Sequence, residues 1–224
     1  MIGFSFSSPN SAYLITELVS GPDLDTLIFS AKYKETFVKL SHNAMALDMA
    51  RAICYLHGQA KPILHRDVKP GNFVVELYDG DPPKCVVKLI DLGIGRIRSM
   101  ATTKMADQGF YVGTLSYMAP EMLLASVQGS LGCDIWSLGC VFAELFTRKA
   151  IWRIKPRKKG GRVPSEEKQL ISLMRGENVP HAVMDLIHKS HSHVSLIVDC
   201  VNYDIDSRPT ADHIVDTLLK YQPL

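Results

Sequence analysis

The sequence lacks the features that assign a chain quickly to a secreted, membrane-bound or nucleic-acid-binding class. Charge of one sign is missing: 25 Lys and Arg stand against 23 Asp and Glu, for a formal net charge of +2. Nothing in that balance draws the chain to nucleic acid or to an anionic membrane. Paired cysteines are missing too. Cys54, Cys85, Cys133, Cys140 and Cys200 are odd in number, scattered, and form no Cys-x-x-Cys pair. They read as reduced, mostly packed thiols, with neither a disulfide framework nor a zinc site indicated. No basic N-terminal region leads into an apolar one, so no secretory signal is expected. The most apolar stretch, Cys133 to Phe146, is too short to span a bilayer and is interrupted by Asp134 and Glu144. Together these absences point to an intracellular chain, cytoplasmic or nuclear. Internal repeats, low-complexity segments and a second domain are absent as well.

What is present is an ordinary globular composition, 46% hydrophobic and 21% charged over 224 residues, enough for one domain with a substantial core. Ile2 to Phe6 alternates, breaks at Ser7-Ser8-Pro9-Asn10-Ser11, and resumes over Ala12 to Thr16, the pattern of a β-hairpin. Asp23 is placed to cap a short helix over Leu24 to Phe29. From His42 to His57, the residues Ala44, Met45, Leu47, Ala50, Ile53, Cys54 and Leu56 mark one face of a helix that Gly58 ends. Phe73-Val74-Val75 and Val86 to Ile90 read as two strands joined by a turn over Tyr78 to Pro83. A strongly apolar helix from Cys133 to about Phe146 is expected at the domain centre. Arg153 to Arg162 is a basic loop, open to two readings: a solvated loop, or a docking or nuclear-import signal. Two or three further helices finish the chain, one over about Val194 to Val201 and one over about Ala211 to Leu219.

Chemistry concentrates in His65-Arg66-Asp67-Val68-Lys69-Pro70-Gly71-Asn72. Asp67 can accept a proton or orient a hydroxyl, Lys69 can neutralise charge on a phosphoryl group, and Asn72 offers an oxygen to a hard cation. The strand after the turn ends at Asp91-Leu92-Gly93. Antiparallel pairing of the two strands brings Asn72 and Asp91 to the same end of the ribbon.

These motifs, with Ala119-Pro120-Glu121, Asp134-Ile135-Trp136-Ser137 and Arg208 following in order, resemble those of eukaryotic-type protein kinases. The resemblance implies an α+β, protein kinase-like fold, mainly the helical C-lobe with an incomplete N-lobe sheet. It implies one domain over 1–224, in which 1–19 are the end of the N-lobe and the hinge and 20–224 are the C-lobe. The activity it implies is transfer of the ATP γ-phosphate to Ser or Thr hydroxyls of a protein substrate. Asp67 is then the catalytic base, with Lys69 beside the transferred phosphate and Asn72 and Asp91 on magnesium. The backbone of Glu17, Leu18 and Val19 contacts adenine behind the gatekeeper Thr16, and Val74 lies under the ring. Glu121 pairs with Arg208, Asp134 anchors the catalytic loop from below, and His65 and Leu92 belong to an internal apolar stack. Lys69, and Gly113 to Tyr117 with a Thr114 hydroxyl able to bridge Asp67 and Lys69, match the Ser/Thr type. Leu92 replaces the usual Phe and keeps an apolar plug.

Two departures bear on function. Gly109, Phe110 and Tyr111 stand where the family often carries a phosphorylated Ser or Thr, which implies weak or unusual loop control; Ser99, Thr102, Thr103 and Tyr111 are the sites left. A Gly-rich loop and a Val-Ala-x-Lys strand are not found before the hinge, and the chain begins where the fourth N-lobe strand should. The expectation is a piece of a longer kinase. The alternative is a catalytically inactive, kinase-like C-lobe acting as a protein-binding module.

Overall fold

The computed structural model describes residues 3–8, 11–80, 84–91, 115–124, 129–155 and 165–221. Two antiparallel ribbons and a helical body make up this part of the chain. Strands β1 (Gly3–Ser8) and β2 (Ser11–Ile15) form the first ribbon, with an irregular register between Phe6 and Ser8. Helices α1 (Leu24–Phe29), α2 (Lys34–Lys39) and α3 (His42–His57) follow. Strands β3 (Phe73–Tyr78) and β4 (Lys84–Leu89) form the second ribbon. The remaining helices are α4 (Pro120–Leu124), α5 (Leu131–Thr147), α6 (Glu166–Arg175), α7 (His181–His188), α8 (Val194–Cys200) and α9 (Ala211–Leu219). The α+β expectation therefore stands.

Local chemistry explains the helix boundaries. Asp23 caps α1 by accepting the Thr26 N–H at 2.7 Å, the stabilising N-cap contact expected of a carboxylate before a helix. Ser41 caps α3 in the same way through the Ala44 N–H, and Gly58 closes it. The body is built around α5, buried from Cys133 to Leu145. Helix α3 packs on one side of it and α7 and α8 on another, while α9 lies along α3. Asn43 pins that last contact by donating to the Leu218 carbonyl at 3.3 Å. A helix enclosed on all sides has no need of a polar face, which is why its sequence is apolar nearly throughout.

Several details differ from the sequence reading, among them the bounds of the strands and the added short helices α2 and α4. The β3–β4 ladder runs out to a Tyr78–Lys84 pair, so Tyr78 is strand rather than turn. The central helix starts at Leu131, ahead of Cys133, with Ser130 at its N-cap. Among the described residues, four helices rather than two or three follow the basic loop: α6 and α7 precede the two expected ones. Helix α6 has a mostly charged first turn, and α7 is a bare two turns long, so neither offers a long apolar period. All five cysteines are free, three of them buried. Among the described residues, no helix is long and apolar enough to cross a membrane.

Candidate active site

The stretch from His65 to Asn72 is held from below by a single carboxylate. Asp134, in the first turn of α5, accepts the main-chain N–H of His65 and of Arg66, each at 2.8 Å, and lies 3.0 Å from His57 Nε2. It is 1% exposed. A buried carboxylate is tolerable because these donors replace water. Arg66 has φ 64°, a left-handed backbone that costs an arginine energy and persists only where the surroundings impose it. The hydrogen bond from its N–H to Asp134 is such a constraint.

Asp67 is buried, with Lys69 Nζ 2.9 Å from its Oδ2. Asn72 Nδ2 donates to the Asp67 carbonyl at 2.7 Å and to Oδ2 at 3.0 Å. The carboxylate, the ammonium and the amide expected from the sequence thus meet in one hydrogen-bonded group. His65 is fully buried and uses both ring nitrogens: Nε2 donates to the Ile90 carbonyl at 3.2 Å, and Nδ1 accepts the Asp67 N–H at 3.3 Å. That is a core role, as expected, rather than proton transport.

Ile90 carries the second half of the site. Its carbonyl is bound by His65, and its N–H donates to the Asn72 carbonyl at 2.8 Å. The next residue, Asp91, is therefore delivered to the Asn72 end of the ribbon, in line with the Phe73–Leu89 pairing. Asp91 is exposed and also left-handed, φ 56°. Of the five described non-glycine residues with positive φ, Arg66 and Asp91 fall in these two motifs, while Arg148, Glu177 and Ser190 stand at or just past helix ends.

The residues expected on the adenine side form a looser group. Glu17, Leu18 and Val19 follow β2, with Leu18 93% exposed. The Glu17 side chain pairs with Lys88 on β4 at 3.0 Å, and Lys88 lies 3.4 Å from Glu76. The chain just beyond, at Pro22 and Asp23, is fastened to β3 through main chain. Pro22 accepts the Val75 N–H at 2.9 Å, and Asp23 bridges to Val74. Gly21 makes that approach possible: its φ is 154°, and a Cβ there would stand 2.0 Å from the Val75 carbonyl oxygen. Val74 is half-buried on this ribbon, and Thr16 is exposed.

Beyond the catalytic loop, Glu121 and Arg208 form a two-pronged ion pair with contacts of 2.7 and 2.8 Å. Arg208 also donates to the carbonyls of Asn202 and Gly132. Burial pushes the Glu121 carboxyl up, but the Arg208 contacts outweigh it and hold it below its usual range. Removing one member of such a buried pair typically costs about 3–5 kcal/mol. The segment 115–118 is held by α5 and its exit. Ser137 Oγ donates to the Tyr117 carbonyl at 2.7 Å, and the Tyr117 hydroxyl donates to Glu144 at 2.8 Å. Glu144 also accepts the Ile151 N–H at 2.7 Å. Burial raises the Glu144 carboxyl to about 7, against the lowering effect of those two hydrogen bonds. Burial and the neighbouring Glu144 charge raise the Tyr117 phenol.

Glu144, Ser137, Gly21, Lys88 and Trp152 carry structural roles around the site that motif matching did not assign. Glu144 had a visible signal, a carboxylate inside an apolar helix. Leu92, the Ser99, Thr102, Thr103 and Tyr111 sites, Thr114, and most of the basic loop lie outside the described residues.

Comparison with known proteins gives the family. The chain is 32% identical over 143 residues to cyclin-dependent kinase B2-2 of Arabidopsis thaliana, covering 62% of this chain and 41% of that protein. It is 35% identical over 142 residues to serine/threonine-protein kinase NLK2 of Xenopus laevis, covering 63% of this chain and 28% of that protein. Cyclin-dependent kinase B2-1 of Arabidopsis thaliana is 31% identical over 154 residues, covering 67% of this chain and 45% of the relative. The chain thus spans less than half the length of these curated relatives. The family model of the protein kinase domain matches residues 2–219, and the chain belongs to that family.

Proposed function

We propose that the protein carrying this chain is an ATP-dependent protein serine/threonine kinase, transferring the γ-phosphate of ATP to Ser or Thr hydroxyls of protein substrates. The observation that carries the reading is the buried Asp67–Lys69–Asn72 group, with Asp91 brought beside it through Ile90. Asp67 accepts or steers the proton of the attacking hydroxyl. Lys69, 2.9 Å from that carboxylate, meets the charge of the transferred phosphoryl group. Because phosphoryl transfer passes through a loose transition state, these roles are chiefly positioning and electrostatic.

The metal donors fit magnesium. Asn72 commits its nitrogen to Asp67, which leaves Oδ1 as its ligand atom, and Asp91 supplies an exposed carboxylate; both are hard oxygen donors. Asn72 and Asp91 would hold Mg2+, which would supply positive charge against the phosphates of ATP. The backbone of Glu17, Leu18 and Val19 and the side chain of Val74 receive the adenine. In this reading residues 1–19 are the end of the N-lobe and the hinge, 20–224 are the C-lobe, and the protein works inside the cell, cytoplasmic or nuclear. The name of one relative, serine/threonine-protein kinase NLK2, supports the acceptor class.

Phosphate transfer to Ser, Thr and Tyr peptides, measured on the natural protein and on Asp67→Asn, tests the proposal. Transfer to Ser or Thr that falls by about 10²–10⁴-fold in the variant is expected for loss of a positioned base. Equal rates in the two proteins, or transfer confined to Tyr, would overturn it.

A further inference from the structure

We propose that Asp48 is a positioning residue for the cation-binding end of the β3–β4 ribbon: by holding the outer edge of β4 against α3, it fixes where Asp91 stands relative to Asn72. The inference rests on the kinase reading, which gives Asn72 and Asp91 to magnesium, and deepens it with a residue on another element.

The ribbon is fastened at one rung, from both sides. Val75 on β3 faces Val87 on β4. The Val75 N–H donates outward to the Pro22 carbonyl at 2.9 Å, and the Val87 N–H donates outward to Asp48 Oδ2 on α3 at 3.1 Å. In an antiparallel pair such a rung exchanges no hydrogen bonds across the ribbon, so its N–H groups face the two free edges. A two-stranded ribbon is marginal by itself, so whatever grips its edges decides where its end lies. Past this rung come the Phe73–Leu89 pair and then the Ile90 N–H on the Asn72 carbonyl at 2.8 Å. Asp91 follows directly. The clamp thus stands about 13 Å of extended strand from Asp91.

Packing alone does not lock this stretch. An open groove of about 350 Å³ runs between α3 and β4, lined by Ala52, Tyr55 and Leu56 on one side and by Val87, Lys88 and Leu89 on the other. Its lining runs from the Val87 rung toward Asp91, so over that stretch the strand leans on α3 only in part. Among the described residues, Val87 is the hydrogen-bond donor to Asp48. Burial pushes the Asp48 carboxyl up, against the lowering pull of that N–H and of Arg51. In such a half-dried setting a hydrogen bond imposes more than at the open surface. Helix α3 is itself tied to the Asp67 loop: His57 lies 3.0 Å from Asp134, the carboxylate under His65 and Arg66. His57 and Asp48 stand about half a turn apart around α3 and about 14 Å apart along it. One helix thus grips both the loop that carries Asp67 and the strand that leads to Asp91. Outer groups that orient metal ligands without touching the metal tune its affinity.

Asp48→Ala removes the acceptor, and Asp48→Asn keeps an oxygen for the Val87 N–H. In the natural protein and both variants, Mn2+ binding with a non-hydrolysable ATP analogue is read from the free-ion signal in electron paramagnetic resonance. Amide exchange at Val87 and Ile90 is followed without metal. For Asp48→Ala the expected result is Mn2+ affinity lowered about fivefold, the scale of one lost hydrogen bond, with both amides exchanging faster. Asp48→Asn should stay within about twofold of the natural protein on each measure. Mn2+ affinity within about twofold for Asp48→Ala would overturn the proposal, and with a lowered Tm it would mark a merely structural contact. Equal losses in the two variants, or faster exchange at Val87 with Ile90 unchanged, overturn it as well. Should Asp48→Ala not fold, the natural protein decides. Coupling between sites is reciprocal, so Mg2+ with the analogue slows exchange at Val87 if the clamp acts on the cation site; unchanged exchange overturns the proposal. If the natural protein binds no metal, the kinase reading fails separately. Exchange at Ile90 in Asp48→Ala then decides the role of Asp48: a faster rate supports the clamp, and an unchanged rate overturns it.

Discussion

The segments 65–72 and 17–19, which we assign to the catalytic loop and to the hinge, are held in different ways. From His65 to Asn72 the chain rests on buried contacts: Asp134 beneath, His65 spanning to Ile90, and Asn72 across to Asp67. From Glu17 to Val19 the chain is largely exposed, steadied by one ion pair to Lys88 and by main-chain contacts behind Gly21. Buried, hydrogen-bonded groups hold their geometry because every alternative leaves a polar atom unpaired. An exposed ion pair imposes little, since water and salt compete for both partners. The half of the site assigned to phosphate chemistry is thus preassembled by α5, whereas the adenine side takes its shape mainly from backbone.

That contrast can be broken or sharpened by mutation. The largest effect is expected at Asp134. Replacing it with alanine strands the N–H groups of His65 and Arg66 and the His57 ring. At about 1–3 kcal/mol per orphaned group, the loss should reach at least about 3 kcal/mol in urea denaturation, together with loss of phosphate transfer. A loss below about 1 kcal/mol would mean that α5 does not hold the loop.

A smaller, pH-dependent effect is expected at Glu144. Its folded carboxyl sits near 7, above the ordinary value of 4.5 that the unfolded chain retains. Below 4.5 both states are protonated and the group contributes nothing. As pH rises toward 7 the unfolded state ionises first, so stability falls, by about 3 kcal/mol once both states are charged. Glu144→Gln should flatten that decline, because an amide keeps the shape and does not ionise. Parallel stability–pH curves for the two proteins would remove Glu144 as the cause.

The smallest effect is expected at Lys88. Lys88→Ala breaks the contacts to Glu17 and Glu76 at the surface. The thermal midpoint should stay within error, and what little change occurs should vanish in high salt. A clear drop in Tm that survives high salt would show that the segment 17–19 is held as firmly as the segment 65–72.

Much of this was legible in the sequence because the signals are local. Asp23 before an apolar run names a cap; the period from Ala44 to Leu56 names a helix face; Asp67, Lys69 and Asn72 lie within one short loop. The convergence of Asn72 and Asp91 was also readable, since an antiparallel ribbon leaves no other arrangement. Helices α6 and α7 escaped because their short segments carry too few apolar repeats. The Trp152 contact to the Ser116 carbonyl escaped for a different reason: no spacing rule links a tryptophan beyond a helix to a carbonyl 36 residues earlier.

The sequence by itself determined the chemical groups, their order and the lineage they mark, because those depend on residue type and short spacing. Tertiary structure alone decided what holds them. It put a buried carboxylate under two backbone N–H groups, forced Arg66 and Asp91 into left-handed conformations, and tied Glu144 to Ile151 and Trp152 to Ser116. Such contacts exist only after distant segments pack, when excluded water leaves each polar atom to find its partner within the protein.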